Sequence, residues 1–281
     1  MNAFAQFFTA QQALRPRGLE VAAATENVID INNLQFAWRN NAAPVLDIDN
    51  LRVERGQRLF IEGPSGSGKS TLLSLLAGVI APQKGTVSVR GRRVDALSGA
   101  QRDRFRADHI GFIFQMFNLI PYLSLAENVA LPCRFSQRRR QKAQSQSGGL
   151  EKEALRLLTL LGLADPGLLK RPVTDLSVGQ QQRVAAARAL IGSPEVLIAD
   201  EPTSSLDAAH REAFIRLLFE ECAKAQSTLI FVSHDTSLAP LFDQVIRLPE
   251  INRAGRRLER SGNPVTAGMP VSDIGRKEVT K

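Results

Sequence analysis

Leu59-Phe60-Ile61-Glu62-Gly63-Pro64-Ser65-Gly66-Ser67-Gly68-Lys69-Ser70-Thr71-Leu72-Leu73 decides how this chain folds. The three apolar residues that open it read as a short buried strand. Thr71 to Ala77 reads as an apolar helix. Between them Gly63 to Ser70 matches G-x-x-x-x-G-K-[ST], a phosphate-binding loop in its required setting of strand, loop and helix. The glycines let backbone N–H groups converge on phosphate oxygens without Cβ clashes. The helix that follows adds its positive N-terminal end. Lys69 is expected to reach the β- and γ-phosphates, and Ser70 to hold Mg²⁺. Thr71 closes the cradle at the start of the helix.

A second signal lies far downstream. Val196-Leu197-Ile198-Ala199 is a buried strand that delivers Asp200 and Glu201 at its C-terminal end. Ligands in open α/β sheets bind at that edge. Asp200 suits contact with Mg²⁺. Glu201, one residue on, can polarise a water against the γ-phosphate.

Around these two segments, strands and helices alternate. Strands are expected over 28–36, 45–53, 86–89, 110–114 and 228–232, and helices over 100–109, 150–161, 180–191 and 208–223. The alternation predicts an α/β fold with a largely parallel sheet. Residues 136–149, rich in Gln, Arg, Ser and Gly, read as a flexible insertion. Phe4, Phe7 and Phe8 have helical spacing, but Arg-Pro-Arg-Gly at 15–18 breaks the pattern, and residues 1–26 read as a flexible N-terminal extension.

The chain has 281 residues, enough to bury a core without disulfide or metal staples. No stretch of about 18 apolar residues suggests a membrane span. Lys plus Arg number 36 and Asp plus Glu 28, a net of +8. The excess is local. Residues 134–150 carry a net of +5 and residues 251–281 a net of +4, so the remainder is near neutral. That argues against a broad nucleic-acid footprint, and no nucleic acid is expected as a partner. The two basic segments read as a solvated loop and a solvated tail, with anionic lipid headgroups or RNA as the alternative. Two cysteines, Cys133 and Cys222, and three histidines, in no ligand-like spacing, give poor support for zinc. A reducing compartment fits best.

Leu176-Ser177-Val178-Gly179-Gln180-Gln181-Gln182-Arg183 lies upstream of Asp200 and resembles the signature sequence of ATP-binding cassette (ABC) ATPases. Other parts fall in the family's order. Trp38, 25 residues before Gly63, resembles the aromatic that stacks on adenine. Gln115 resembles the Q-loop glutamine, Ser205-Leu206-Asp207 the D-loop, and Ser233-His234-Asp235 the switch-histidine segment. The resemblance covers about residues 28–248. The run from Phe112 to Leu123, followed by Glu127-Asn128-Val129, looks like the subgroup of lipoprotein-releasing and macrolide-efflux ATPases; Ser204-Ser205 departs from that subgroup's usual Gly-Asn.

The resemblance implies a RecA-like P-loop NTPase core with an antiparallel β subdomain and an inserted α-helical subdomain at about 112–178. One ABC ATPase domain would span residues 27–248, followed by a basic tail over 249–281. It implies an ATPase that works as a head-to-tail dimer and moves a substrate through separate membrane permease subunits. ATP would lie on the cradle of one subunit beneath Ser177, Gly179 and Gln180 of the other, with Asp207 at the junction. Gln115 would touch Mg²⁺, and His234 would contact the γ-phosphate and help hold the attacking water. The expected location is the cytoplasmic face of the inner membrane, held peripherally. Ser233-His234-Asp235 is not a hydrolase triad, because three consecutive residues cannot converge in that geometry. Val178 stands where the family's signature has glycine. If that position required φ > 0, a β-branched residue would be disfavoured there. A soluble ABC ATPase of cofactor assembly or nucleic-acid work, and a non-hydrolysing regulatory cassette, are the competing classes. Nucleic-acid relatives in the first class would carry insertions or a second cassette, while a cofactor-assembly ATPase stays open as an alternative; the second class would lack Lys69, Asp200, Glu201 or His234.

Overall fold

The structure is a computed structural model that describes residues 26–39, 42–169 and 171–254. The N-terminal helix pattern at Phe4–Phe8, the Asn40-Asn41 turn and most of the basic tail lie outside the described residues.

The apolar runs form a parallel sheet. β3 (Arg58–Glu62), β6 (Ile110–Ile113), β7 (Val196–Asp200), β8 (Thr228–Val232) and β9 (Gln244–Arg247) lie in the order β6-β7-β8-β3-β9. The central strands β3, β7 and β8 are covered on both faces, which is why they are near-continuously apolar rather than alternating. Successive residues still point to opposite sides. Leu59, Ile61, Ile198 and Ile230 face one core cluster, and Phe60, Leu197 and Phe231 face the other.

The first cluster lies under α1 (Lys69–Leu76) and a second, antiparallel sheet. That sheet consists of β1 (Asn27–Phe36), β2 (Leu46–Glu54), β4 (Lys84–Val89) and β5 (Arg92–Arg93) in the order β2-β1-β4-β5. Ile31 sits opposite Leu51 on one side and Val87 on the other. α2 (Gly99–His109) then leads directly into β6.

The second cluster holds the helical region: α3 (Leu125–Ala130), α4 (Pro132–Phe135), α5 (Gln137–Ser147), α6 (Leu150–Leu160) and α7 (Pro166–Leu169). It also holds α8 (Val178–Leu190) and α9 (Ala208–Ala225). α8 starts at a full capping box between Ser177 and Gln180. The chain closes with α10 (Leu248–Ile251).

One expectation is corrected. Residues 136–149 are not a flexible insertion, because they form α5. This helix has almost no apolar face, and hydrogen bonds hold it instead. Ser136 caps its N-terminus by accepting from the Arg139 N–H at 3.0 Å. Arg139 is 2% exposed. Its Nε donates to the Ile191 carbonyl at 2.8 Å, and its guanidinium also reaches the carbonyls of Ala189 (2.7 Å), Ile110 (3.3 Å) and Arg188 (3.4 Å). Helix ends leave such carbonyls without partners, and Arg139 supplies them at the C-terminus of α8. Burial pulls its guanidinium down to about 10. Lys142 and Gln146 bind Ser193, and Arg138 and Lys142 also reach Glu195. Arg139 is thus spent inside the fold and Lys142 is half-buried, while Arg134, Arg138 and Arg140 stay exposed.

The described chain beyond residue 248 packs back on β2. Asn252 is buried; its Oδ1 accepts from Asp47 N–H at 2.9 Å and its Nδ2 donates to the Val45 carbonyl at 2.9 Å. Arg253 pairs with Asp47 at 3.2 Å. These bonds strap the chain to β2 as far as Ala254, which is also buried.

Candidate nucleotide site

Strand order builds the site. β7, β8 and β3 are adjacent and parallel, so the loops at their C-terminal ends meet. From β3 comes the loop 63–68, from β7 come Asp200 and Glu201, and from β8 comes His234. β6, next to β7, leads to Gln115. A cavity of about 650 Å³ lies there. Trp38, Val45, Gly63, Pro64, Ser65, Gly66, Gly68, Lys69, Ser70, Thr71, Gln115, Asp200, Glu201, Ser204 and His234 line it.

The loop has the conformation that its glycines permit. Gly66 and Gly68 sit at φ +78° and +98°. A Cβ on Gly68 would come within 2.8 Å of the Leu46 side chain, and one on Gly63 within 2.8 Å of Ser67 Oγ. Lys69 Nζ donates to the Gly63 and Pro64 carbonyls at 2.7 and 2.9 Å. Ser67 is not among the lining residues, and its buried hydroxyl has no partner among the described residues.

Ser70 Oγ donates to Asp200 Oδ2 at 3.2 Å. Burial pushes the Asp200 carboxyl above its ordinary value, only partly countered by that hydrogen bond. A desolvated carboxylate beside a hydroxyl, with an amide oxygen at Gln115 on the same cavity, is a hard-oxygen donor set that fits Mg²⁺. Glu201 stands at φ +49°, an uncommon conformation for a residue with a side chain. Its N–H donates to the Val232 carbonyl at 3.0 Å, and its Oε2 lies 2.9 Å from His234 Nδ1. Asp235 faces elsewhere: it accepts from Ser237 and pairs with Arg211. Ser233, His234 and Asp235 thus form no relay.

Trp38 is 64% exposed at the rim and meets Phe36 edge-on, ring centres 5.2 Å apart. The Gln83 side chain clamps the preceding residue, accepting from Ala37 N–H at 2.5 Å and donating to its carbonyl at 2.6 Å. Sequence reading missed Gln83, and it missed Asn252, whose Nδ2 also lies 3.4 Å from the Ser67 carbonyl. Neither belongs to a motif.

Ser177, Gly179, Gln180 and Asp207 are not among the residues that line this cavity. Ser177 Oγ accepts from Gln180 N–H at 3.3 Å, and Gln180 Oε1 accepts from Ser177 N–H at 2.9 Å. Val178 opens α8 and is not among the positive-φ residues. A β-branched residue is therefore accepted there without backbone strain. Asp207 caps α9 by accepting from His210 N–H at 3.0 Å.

A phosphate loop, an acidic strand end and a histidine on neighbouring parallel strands, flanked by an antiparallel sheet and a helical region, define a P-loop ATPase of the cassette type. The ABC transporter family matches residues 46–204, and the chain belongs to that family. It is 40% identical to the ABC transporter ATP-binding protein YbbA of Escherichia coli over 225 residues, 79% of this chain and 95% of that one. It is 38% identical to the lipoprotein-releasing system ATP-binding protein LolD of Syntrophotalea carbinolica over the same shares. Among solved structures, a dimeric ATP-binding cassette in a post-hydrolysis state, bound to ADP and Pi, matches with TM-score 0.69 and 33% identity. That match covers 78% of this chain and 93% of the other.

Proposed function

We propose that this chain binds and hydrolyses ATP as the cassette subunit of a membrane transporter, working as a head-to-tail dimer. One observation carries the reading. Three adjacent strands deliver Lys69, the Asp200-Glu201 pair and His234 to one cavity, while the signature residues lie outside it. A second copy of the cassette supplies what this cavity lacks.

In that reading Gly63 to Thr71 cradle the phosphates. Lys69 exchanges the Gly63 and Pro64 carbonyls for phosphate oxygens. Trp38 stacks on adenine. Ser70, Gln115 and Asp200 hold Mg²⁺, which when bound neutralises charge on the phosphates. Glu201 polarises the attacking water, and His234, already beside it, orients that water toward the γ-phosphate. Ser177, Gly179 and Gln180 of the partner subunit's signature helix close over the phosphates, with Asp207 at the junction. The chain from Asn27 to about Ala254 acts as one cassette unit, with the helical region from about 112 to 178 inserted in it.

A larger cavity of about 1030 Å³ lies away from the nucleotide, between α2, β6 and the α4–α5 segment. Phe112, Phe114 and Phe135 line it, rimmed by Arg104, Arg106, Arg134 and Arg140. Met116 and Tyr122, on the loop after Gln115, are 80% and 84% exposed. An apolar floor continuous with that loop supports docking of a membrane subunit there. No described helix is long and apolar enough to cross a membrane. The translocation path therefore belongs to a separate permease in this reading, with the cassette held at the cytoplasmic membrane face. The LolD relative favours lipoprotein release as the process served, and the sequence resemblance adds efflux.

The test is affinity purification of the full chain from detergent-solubilised membranes of its own cell, with the Glu201→Gln form used to hold the ATP-bound state. A co-purifying multi-span protein is expected. Recovery from the soluble fraction with no membrane partner would move the chain to the soluble ABC class.

A further inference from the structure

Arg188, in the last turn of α8, is 7% exposed. No ion pair holds it among the described residues. Its guanidinium donates instead to two consecutive main-chain carbonyls, those of Phe117 and, at 2.6 Å, Asn118. Burial lowers the pKa of the group, and no carboxylate offsets that. A buried cation satisfied by carbonyls depends on them strongly.

The carbonyls belong to an unusual segment. Phe117 and Asn118 have φ of +55° and +51°, so two side-chain-bearing residues in succession are left-handed. Each such residue is disfavoured, and the conformation persists only where surrounding contacts impose it. Asn128 holds the far end of the same loop. Its fully buried amide donates to the carbonyls of Ile120, Leu123 and Ser124, and its Oδ1 accepts from Ile120 N–H. At the near end of the loop lies Gln115, on the nucleotide cavity.

We infer that Arg188 is a positioning residue for the Gln115 loop, tying it rigidly to the helix whose other end carries Ser177. The residue that one subunit offers to its own nucleotide and the serine it presents to its partner's would then move as one piece. This rests on the proposed role of Gln115.

The experiment measures ATP turnover, Mg²⁺ half-saturation and ATP affinity by equilibrium dialysis for the full chain carrying Arg188→Lys or Arg188→Gln. Each is made in the native and the Gln115→Ala backgrounds, and amide hydrogen exchange is followed over 114–120. Lysine keeps the charge, but its single nitrogen on a shorter side chain lacks the two-nitrogen fork with which Arg188 meets Asn118 and Phe117 separately, so it should not restore turnover. Turnover should fall about tenfold or more, with ATP affinity within about twofold. The Mg²⁺ requirement should rise, and exchange should quicken at 117–118 while the α8 amides keep their protection. In the Gln115→Ala background either Arg188 change should cost less than about twofold further. Losses that multiply across the two sites, or unchanged exchange at 117–118, overturn the inference. If Arg188→Gln does not fold, Arg188→Lys carries the same readouts. If Gln115→Ala alone leaves turnover intact, the role given to Gln115 fails, and the exchange data then judge Arg188's hold on the loop by themselves.

Discussion

The two edges of the parallel sheet treat their polar groups in opposite ways. At the C-terminal edge, partners are scarce or provisional. Lys69 leans on carbonyls of its own loop, and Asp200 is a desolvated carboxylate that burial pushes upward. Glu201 holds a left-handed backbone. At the N-terminal edge, partners are abundant. Glu195, just before β7, receives His109 at 3.1 Å, Arg90 at 3.2 Å, Lys142 at 3.3 Å and Arg138 as well. Arg139 nearby reaches four carbonyls. The denser charge cluster is the structural one. Chemistry sits where polar groups are left short of partners, because a ligand can still improve their state.

The contrast breaks first at Glu201. Glu201→Gln preserves size and backbone preference but removes the base. Turnover should fall by roughly 10²–10⁴-fold with ATP binding kept, read as phosphate release against equilibrium dialysis. Full turnover in that variant would take Glu201 out of the mechanism. At the opposite edge the effect should be on stability instead. Arg139→Met leaves buried carbonyls unpaired and should lose about 3 kcal/mol in urea unfolding, with turnover per folded molecule unchanged. A variant as stable as the parent would show that solvent or neighbours replace the guanidinium.

Glu195→Gln is the gentler change, about 1–2 kcal/mol at neutral pH. Its sharper signature is in acid. Burial alone would raise the Glu195 carboxyl, but hydrogen bonds from His109 and Arg138 and the charge of Lys142 outweigh it and hold the group well below the usual carboxylate range. A depressed acid stabilises the fold at pH values above its unfolded pKa of about 4.3, and that stability is lost as pH falls through the folded value. The parent's unfolding midpoint should therefore drop more steeply than the variant's below about pH 4. Parallel acid limbs would show that the cluster contributes nothing through Glu195.

What the sequence made legible follows the same division. Lys69, Asp200, Glu201 and His234 carry their chemistry in their own side chains, at the ends of apolar runs that read as strands. The positions around them could be read locally. Arg139, Arg188, Gln83 and Asn252 could not, because these side chains reach main-chain carbonyls and amides 29 to 207 residues away. A carbonyl has no letter in the sequence. For the same reason α5 read as flexible: Gln-Arg-Arg-Arg-Gln-Lys has no apolar periodicity, and its helix is fixed by donors that reach the far end of α8. Val178 was readable only as a departure. The helical geometry of its position makes it an acceptable one.

Trp38 has a use beyond any role with adenine. It is the chain's single tryptophan, and it stands at the mouth of the nucleotide cavity just after Ala37, whose backbone Gln83 clamps. All indole emission from this protein therefore originates at one ring on the rim of the site. The molecule carries its own optical gauge, and a spectrofluorimeter can follow filling and emptying of that cavity on unlabelled protein.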